Sequence, residues 1–171
     1  MKWNTKKICT MAILMAITVI LSIFATFRVG NQIKVPLKFI TVFLCGALYG
    51  PLAGGFVGAA ADIINALLVP VGPILPQITL IEFVYGFTYG VFFFSAEPGK
   101  AYYIRVFICA ALHFIISMML TSMVLVNVGY FSSFKAAFII RLPAGLLLFA
   151  VHIIAMTILK KFVFYIKDDR S

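Results

Sequence analysis

Residues 39–69 read FITVFLCGALYGPLAGGFVGAAADIINALLV, and the only charged side chain in that run is Asp62. Midway, Gly50-Pro51 marks a tight turn. The run is therefore two apolar arms folded back on each other as a helical hairpin. A helix needs about 20 residues to cross the hydrocarbon core of a bilayer. The second arm is long enough for that, but the first, between Pro36 and Gly50, is not. A short arm beside a full one is expected to leave a recess on one side of the membrane.

The rest of the chain agrees with a lipid solvent. Of its 171 residues, 64% are hydrophobic and 11% charged, mean hydropathy is +1.14, and 18 residues are Phe. A soluble domain carries about a quarter charged residues, so disorder, a soluble enzyme fold and a nucleic-acid module are excluded. The net charge of +9 reports topology first. Cys9, Cys45 and Cys109 are widely spaced and odd in number, which argues against a disulfide framework or a metal site. The expected fold is all-α: one integral membrane domain over 1–171, a six-transmembrane-helix bundle with spans at about 8–27, 37–50, 51–69, 78–95, 104–126 and 136–164. The first run follows lysines as a signal peptide would, but it is long enough to span and is read as a retained helix.

An even number of spans puts both termini on one side. That side holds Lys2, Lys6, Lys7, Lys100, Arg105, Lys160, Lys161, Lys167 and Arg170; the other holds Arg28, Lys34, Lys38, Lys135 and Arg141. The larger group sits in the cytoplasm by the positive-inside rule. Glu97, Asp168 and Asp169 fall on that side, so the outer segments carry five bases and no acid. Single bases there are accounted for by snorkelling to lipid phosphates. Five around a recess make a funnel for an anion, with Arg28 and Arg141 best placed and arginine suited to two-point binding of a carboxylate.

Ionisable groups inside spans face the bundle interior. Asp62 shares a helical face with Gly54, Gly58 and Ala66, and Glu82 with Gly86 and Gly90. Such small-residue faces meet neighbouring helices. Asp62, Asn65 and Glu82 all fall in the outer half, below the ring of bases. The two carboxyls either hold helices together, as an internal ion pair or as neutral hydrogen-bonded acids, or one of them accepts N–H groups of a ligand. His113 and His152 lie mid-span as packing residues, and two histidines without a third ligand make no metal site. Ser117, Thr121, Ser122 and Asn127 line the outer half of the fifth helix, where hydroxyls bond back to their own helix by default. The apolar loop Val69-Pro70-Val71-Gly72-Pro73-Ile74-Leu75-Pro76-Gln77 is stiff, and Pro70, Gly72, Pro73 and Pro76 make it a wall over the outer end. The segment 28–38 is its moving counterpart.

There is no phosphate-binding G-x-x-x-x-G-K-[ST], no G-x-S-x-G, no H-E-x-x-H and no visible inverted repeat. A binding protein that takes its energy from elsewhere fits these absences.

Gly46-Ala47-Leu48-Tyr49-Gly50-Pro51-Leu52-Ala53-Gly54-Gly55-Phe56-Val57-Gly58, followed by Asp62, resembles the second-to-third helix hairpin of the S components of energy-coupling factor (ECF) vitamin transporters. Gly72-Pro73-Ile74-Leu75-Pro76, Thr79-Leu80 and Gly86-Phe87-Thr88-Tyr89-Gly90 resemble the folate-specific branch, and the likeness runs over about residues 8–165. It implies a small membrane subunit that captures a vitamin outside the cell and is reoriented by a membrane scaffold subunit and two ATPases. It implies no cofactor and no catalysis. The family's A-x-x-x-A docking motif falls on Ala12 and Ala16. For folate, Arg28, Lys34 and Arg141 would meet the glutamate tail. Asp62 would meet the pterin, Tyr85, Tyr130 and Phe131 would stack on the rings, and Asn65 and Thr121 belong to the same substrate-binding set. Glu82 departs from that branch, where small residues are expected, and marks either another vitamin or a substituted polar contact.

Three readings therefore compete: an S component for folate, or for another vitamin such as pantothenate; a structural membrane protein of the cell-shape machinery; and a lipid-modifying enzyme using Asp62, Glu82 and a histidine.

Overall fold

The structure is a computed structural model that describes residues 5–24, 26–29, 33–68 and 75–168. Helix α1 (Thr5–Phe24) leads into strands β1 (Thr26–Val29) and β2 (Ile33–Pro36). Helices α2 (Phe39–Tyr49), α3 (Pro51–Leu68) and α4 (Pro76–Phe93) follow. A long rod then comprises α5 (Lys100–Ile116), a π-helical segment (Ser117–Thr121) and α6 (Ser122–Asn127). A second long rod comprises α7 (Phe134–Ile158) and α8 (Lys160–Asp168). Among the described residues these make six helical rods, and those at 51–68, 100–127 and 134–168 are long and apolar enough to cross a membrane.

The turn at the centre of the deciding stretch is built from two residues. Gly50 takes φ +99°, and its N–H returns to Gly46 O at 2.9 Å. The left-handed region is open to glycine without penalty, and Pro51 then starts α3 where its missing N–H has no helical partner to lose. The two arms and α4 pack with backbones in contact: a Cβ on Gly86 would run into the carbonyl of Gly54, and one on Gly58 would lie 2.6 Å from the carbonyl oxygen of Glu82. This close approach sets the carboxyl-bearing faces of α3 and α4 side by side.

One expected boundary is corrected. The first span was expected to continue to about residue 27, but α1 ends at Phe24 and residues 26–29 pair antiparallel with 33–36, setting Arg28 opposite Lys34. Thr26, Phe27, Val29, Ile33 and Val35 are β-formers. A short apolar run carries no periodicity long enough to separate strand from helix. β1 follows the end of α1, and β2 packs against α7, so the hairpin bridges the first and last rods.

The interior is aromatic. Phe43 meets Tyr89 and Phe93 edge-on at centroid distances of 5.5 and 5.1 Å, and the Tyr102 hydroxyl donates to Met156 O at 2.8 Å. At the end of α4, Arg105 Nη1 donates to Phe92 O (3.1 Å) and Lys167 Nζ to Phe93 O and Phe94 O (2.8 Å each). Two cations thus satisfy the orphan carbonyls of that helix end. Ile13, Phe56, Leu80, Ile139 and Ile158 are more than half exposed, as lipid-facing side chains are.

Candidate substrate-binding site

Two polar clusters lie within the bundle. In the first, Lys38 Nζ sits 2.9 Å from Glu82 Oε1 and 3.8 Å from Asp62 Oδ1, and Thr79 Oγ1 donates to Asp62 Oδ2 at 2.8 Å. The α3–α4 glycine contact brings the two carboxylates together, and Lys38, immediately before α2, supplies the cation between them. One positive and two negative charges leave a net charge of −1. Lys38 is also tied to the first helix: Thr41 Oγ1 donates to Lys38 O (2.9 Å), and Thr18 Oγ1 lies 2.7 Å from Thr41 Oγ1. Of the two sequence readings for Asp62 and Glu82, the internal ion pair is present. The side chains stay 16–19% exposed, so the cluster is not sealed.

The second cluster forms on the π-helical segment. A π turn lets a backbone carbonyl miss its usual helical partner, which is why such turns recur at functional sites. Arg141, on α7, donates through Nη1 to Ser117 O (3.1 Å) and Ser122 Oγ (2.7 Å), and through Nη2 to Ser117 Oγ (3.2 Å). Three of the guanidinium's five N–H donors are thereby held by neutral groups. Two remain without a partner among the described residues, and no carboxylate there pairs with the cation. Beside Arg141 opens a cleft of about 490 Å³, lined by Ser117, Met118, Leu125, Phe131 and Leu148 among others.

Tyr85 joins the clusters. It lies one turn from Glu82 on α4, within electrostatic range of both Glu82 and Arg141, and hydrogen-bonds Thr121 and Ser117. Its ring rests 4.6 Å from that of His113, which in turn meets Tyr89 at 4.5 Å. His113 Nε2 is 2.6 Å from Thr88 Oγ1, whose hydroxyl also faces Tyr85 O at 2.9 Å. The histidine is thus a satisfied floor residue, and the described residues contain no group of three metal-ligating side chains.

Of the residues singled out in the sequence, Asp62, Glu82, Tyr85, Thr121 and Arg141 come together, and Phe131 lines the cleft. Among the described residues no hydrogen bond joins Asn65 to either cluster, and Tyr130 is exposed. Arg28 and Lys34 sit opposite each other in the hairpin backbone; their side chains lie outside the described residues. So do Pro70, Gly72 and Pro73 of the stiff loop, whereas Pro76 is the first residue of α4. Ala12 and Ala16 are both exposed on α1. Sequence reasoning missed Lys38 as a site residue, although its place between Pro36 and an apolar helix was a signal. It also assigned Ser117 and Ser122 to their own helix, and the cross-bundle bond to Arg141 depends on a π turn with no sequence mark.

A family model for the ECF-type riboflavin transporter S component matches residues 2–163. A curated folate transporter, FolT of Clostridium novyi (strain NT), is 29% identical over 154 residues, covering 88% of this chain and 87% of that protein. A crystal structure of FolT bound with folic acid superposes with a TM-score of 0.80 at 30% identity, covering 91% of this chain and 93% of that one.

Proposed function

The chain belongs to the family of ECF-type riboflavin transporter S components, multi-pass membrane proteins of vitamin import, and we propose that its own substrate is folate. Membership sets aside the cell-shape alternative. The choice of vitamin rests on charge. Riboflavin carries an uncharged ribityl chain and offers a guanidinium nothing to neutralise. Folate carries two carboxylates at one end and a ring with adjacent N–H donors at the other. The observation that supports folate is Arg141, held among neutral serine groups with two donors unpartnered among the described residues, and facing the Lys38–Asp62–Glu82 cluster across Tyr85. Such a polarity matches a ligand that is anionic at one end only. The likeness to folate-binding relatives points the same way.

On this reading both termini are cytoplasmic and the site opens outward. The hairpin of β1 and β2, which carries Arg28 and Lys34, covers its mouth. The exposed Ala12–Ala16 face docks a scaffold subunit, two small residues one turn apart allowing close helix approach. Two ATPases bound to the scaffold drive reorientation. The subunit performs no turnover. Equilibrium binding by the detergent-purified protein tests the proposal: folic acid should bind without ATP and riboflavin should not. Riboflavin binding with no folic acid binding would overturn it.

A further inference from the structure

The two carboxylates of the Lys38 cluster are not equivalent. Both oxygens of Asp62 are engaged, Oδ2 by Thr79 and Oδ1 by the charge of Lys38. Glu82 uses only Oε1, in its 2.9 Å contact with Lys38, and Oε2 has no partner among the described residues. Glu82 is also one turn from Tyr85 on α4, within the same electrostatic field that links Tyr85 to Arg141. Asp62 reaches the cluster from α3.

We propose that Glu82 is the specificity-determining acceptor for the N–H donors of the substrate's ring. Lys38 is its positioning residue, and Asp62 with Thr79 supports Lys38. This rests on the folate reading. A carboxylate oxygen accepts more than one hydrogen bond, so Oε2 and the remaining lone pair of Oε1 form a two-point acceptor. The 2-amino and ring N–H groups of a 2-amino-4-oxopteridine present the matching pair. Lys38 holds the carboxylate in one orientation through its 2.9 Å contact with Oε1, and hydrogen bonds to carboxylate acceptors are the strong ones. A site built around such an acceptor rejects ligands that lack the donor far more strongly than an apolar pocket rejects a missing methylene.

The test is a four-cornered cycle: folic acid and its 2-desamino analogue, each titrated against the wild-type protein and Glu82→Gln, in full-length protein in detergent. Glutamine keeps an oxygen for Lys38 but turns an N–H₂ toward the ligand. The expected result is a loss of about tenfold or more for folic acid and a clearly smaller loss for the 2-desamino analogue, which keeps the ring N–H but lacks the amino donor, with Glu82→Asp recovering part of the difference. Equal losses for both ligands would mean that Glu82 only holds the helices together and would overturn the assignment. So would a ligand-dependent loss in Asp62→Asn with none in Glu82→Gln. If the glutamine variant does not fold, the same cycle on Glu82→Asp decides, a shortened acceptor still separating the two ligands. Wild-type protein that binds neither ligand defeats the folate reading itself, and this assignment with it.

Discussion

Ser122 Oγ lies 2.7 Å from Arg141 Nη1, and the serine is fully buried. A neutral hydroxyl can fix the direction of a guanidinium but cannot balance its charge. With no carboxylate paired to it among the described residues, Arg141 is oriented and electrically incomplete, which is how an anion site is preorganised. Ser117 O, at the start of the π-helical segment, accepts from the same guanidinium, so the irregular helix helps to orient the cation.

Arg141→Ala is therefore expected to weaken folic acid binding by roughly 30-fold or more, the scale of removing one partner of a hydrogen-bonded charge pair. Arg141→Lys should recover little, because a point charge cannot reproduce the planar fork. Ser122→Ala should cost only a few-fold by loosening the guanidinium. Lys161→Ala, an exposed residue on α8, is the control and should leave affinity unchanged. Isothermal titration of the four variants checks the order; equal losses at Arg141 and Lys161 would remove Arg141 from the site.

The glycine seam governs whether the first cluster exists at all. A Cβ on Gly86 collides with the Gly54 carbonyl, which is backbone and cannot swing aside. Gly86→Ala should lower stability by about 1–3 kcal/mol and, by parting α3 from α4, weaken ligand binding as well. At Gly99 a Cβ meets nothing within 4 Å and the backbone is extended, so Gly99→Ala should stay within about 0.5 kcal/mol of wild type. Thermal unfolding in detergent distinguishes the two.

That seam was legible in the sequence because Gly54, Gly58 and Asp62 recur at helical spacing, as do Glu82, Gly86 and Gly90. Small residues on one face state which face is packed. The same periodicity exposed Asp62 and Glu82 as interior groups, and charge counting singled out Arg141, which the fold places against Ser117 and Ser122. Lys38 was not legible as their partner. It precedes its helix rather than lying within it, and only the tertiary approach of α2, α3 and α4 aims its side chain at both carboxylates. The β-hairpin escaped because a few apolar β-formers after a membrane helix extend its hydropathy without a break. The π turn escaped because no residue type in Ser117–Thr121 marks one.

Lys38→Met should destabilise the fold by about 3–5 kcal/mol, the usual result of leaving a buried charge without its partner. The test of cause is rescue. Lys38→Met combined with Glu82→Gln removes the like-charge pair and leaves Asp62 bonded to Thr79, so most of the lost stability should return while folic acid binding does not. Thermal midpoints and titrations on the two variants separate these effects. A double variant as unstable as the single one would show that Lys38 acts through packing of its stem and not through charge.

Orientation follows from the same electrostatics and can be measured in intact cells. If the anion site faces outward, Lys135, on the first turn of α7 and exposed, lies outside, while Lys161 on exposed α8 lies inside. In a background lacking Cys9, Cys45 and Cys109, Lys135→Cys should react with a membrane-impermeant maleimide added to whole cells, and Lys161→Cys should react only after permeabilisation. Reversed labelling would place Arg141 toward the cytoplasm. A guanidinium awaiting an anion there would suit release or export, and capture of a vitamin from outside would have to be abandoned even with folate binding intact. Labelling of both positions without permeabilisation would instead indicate leaky cells.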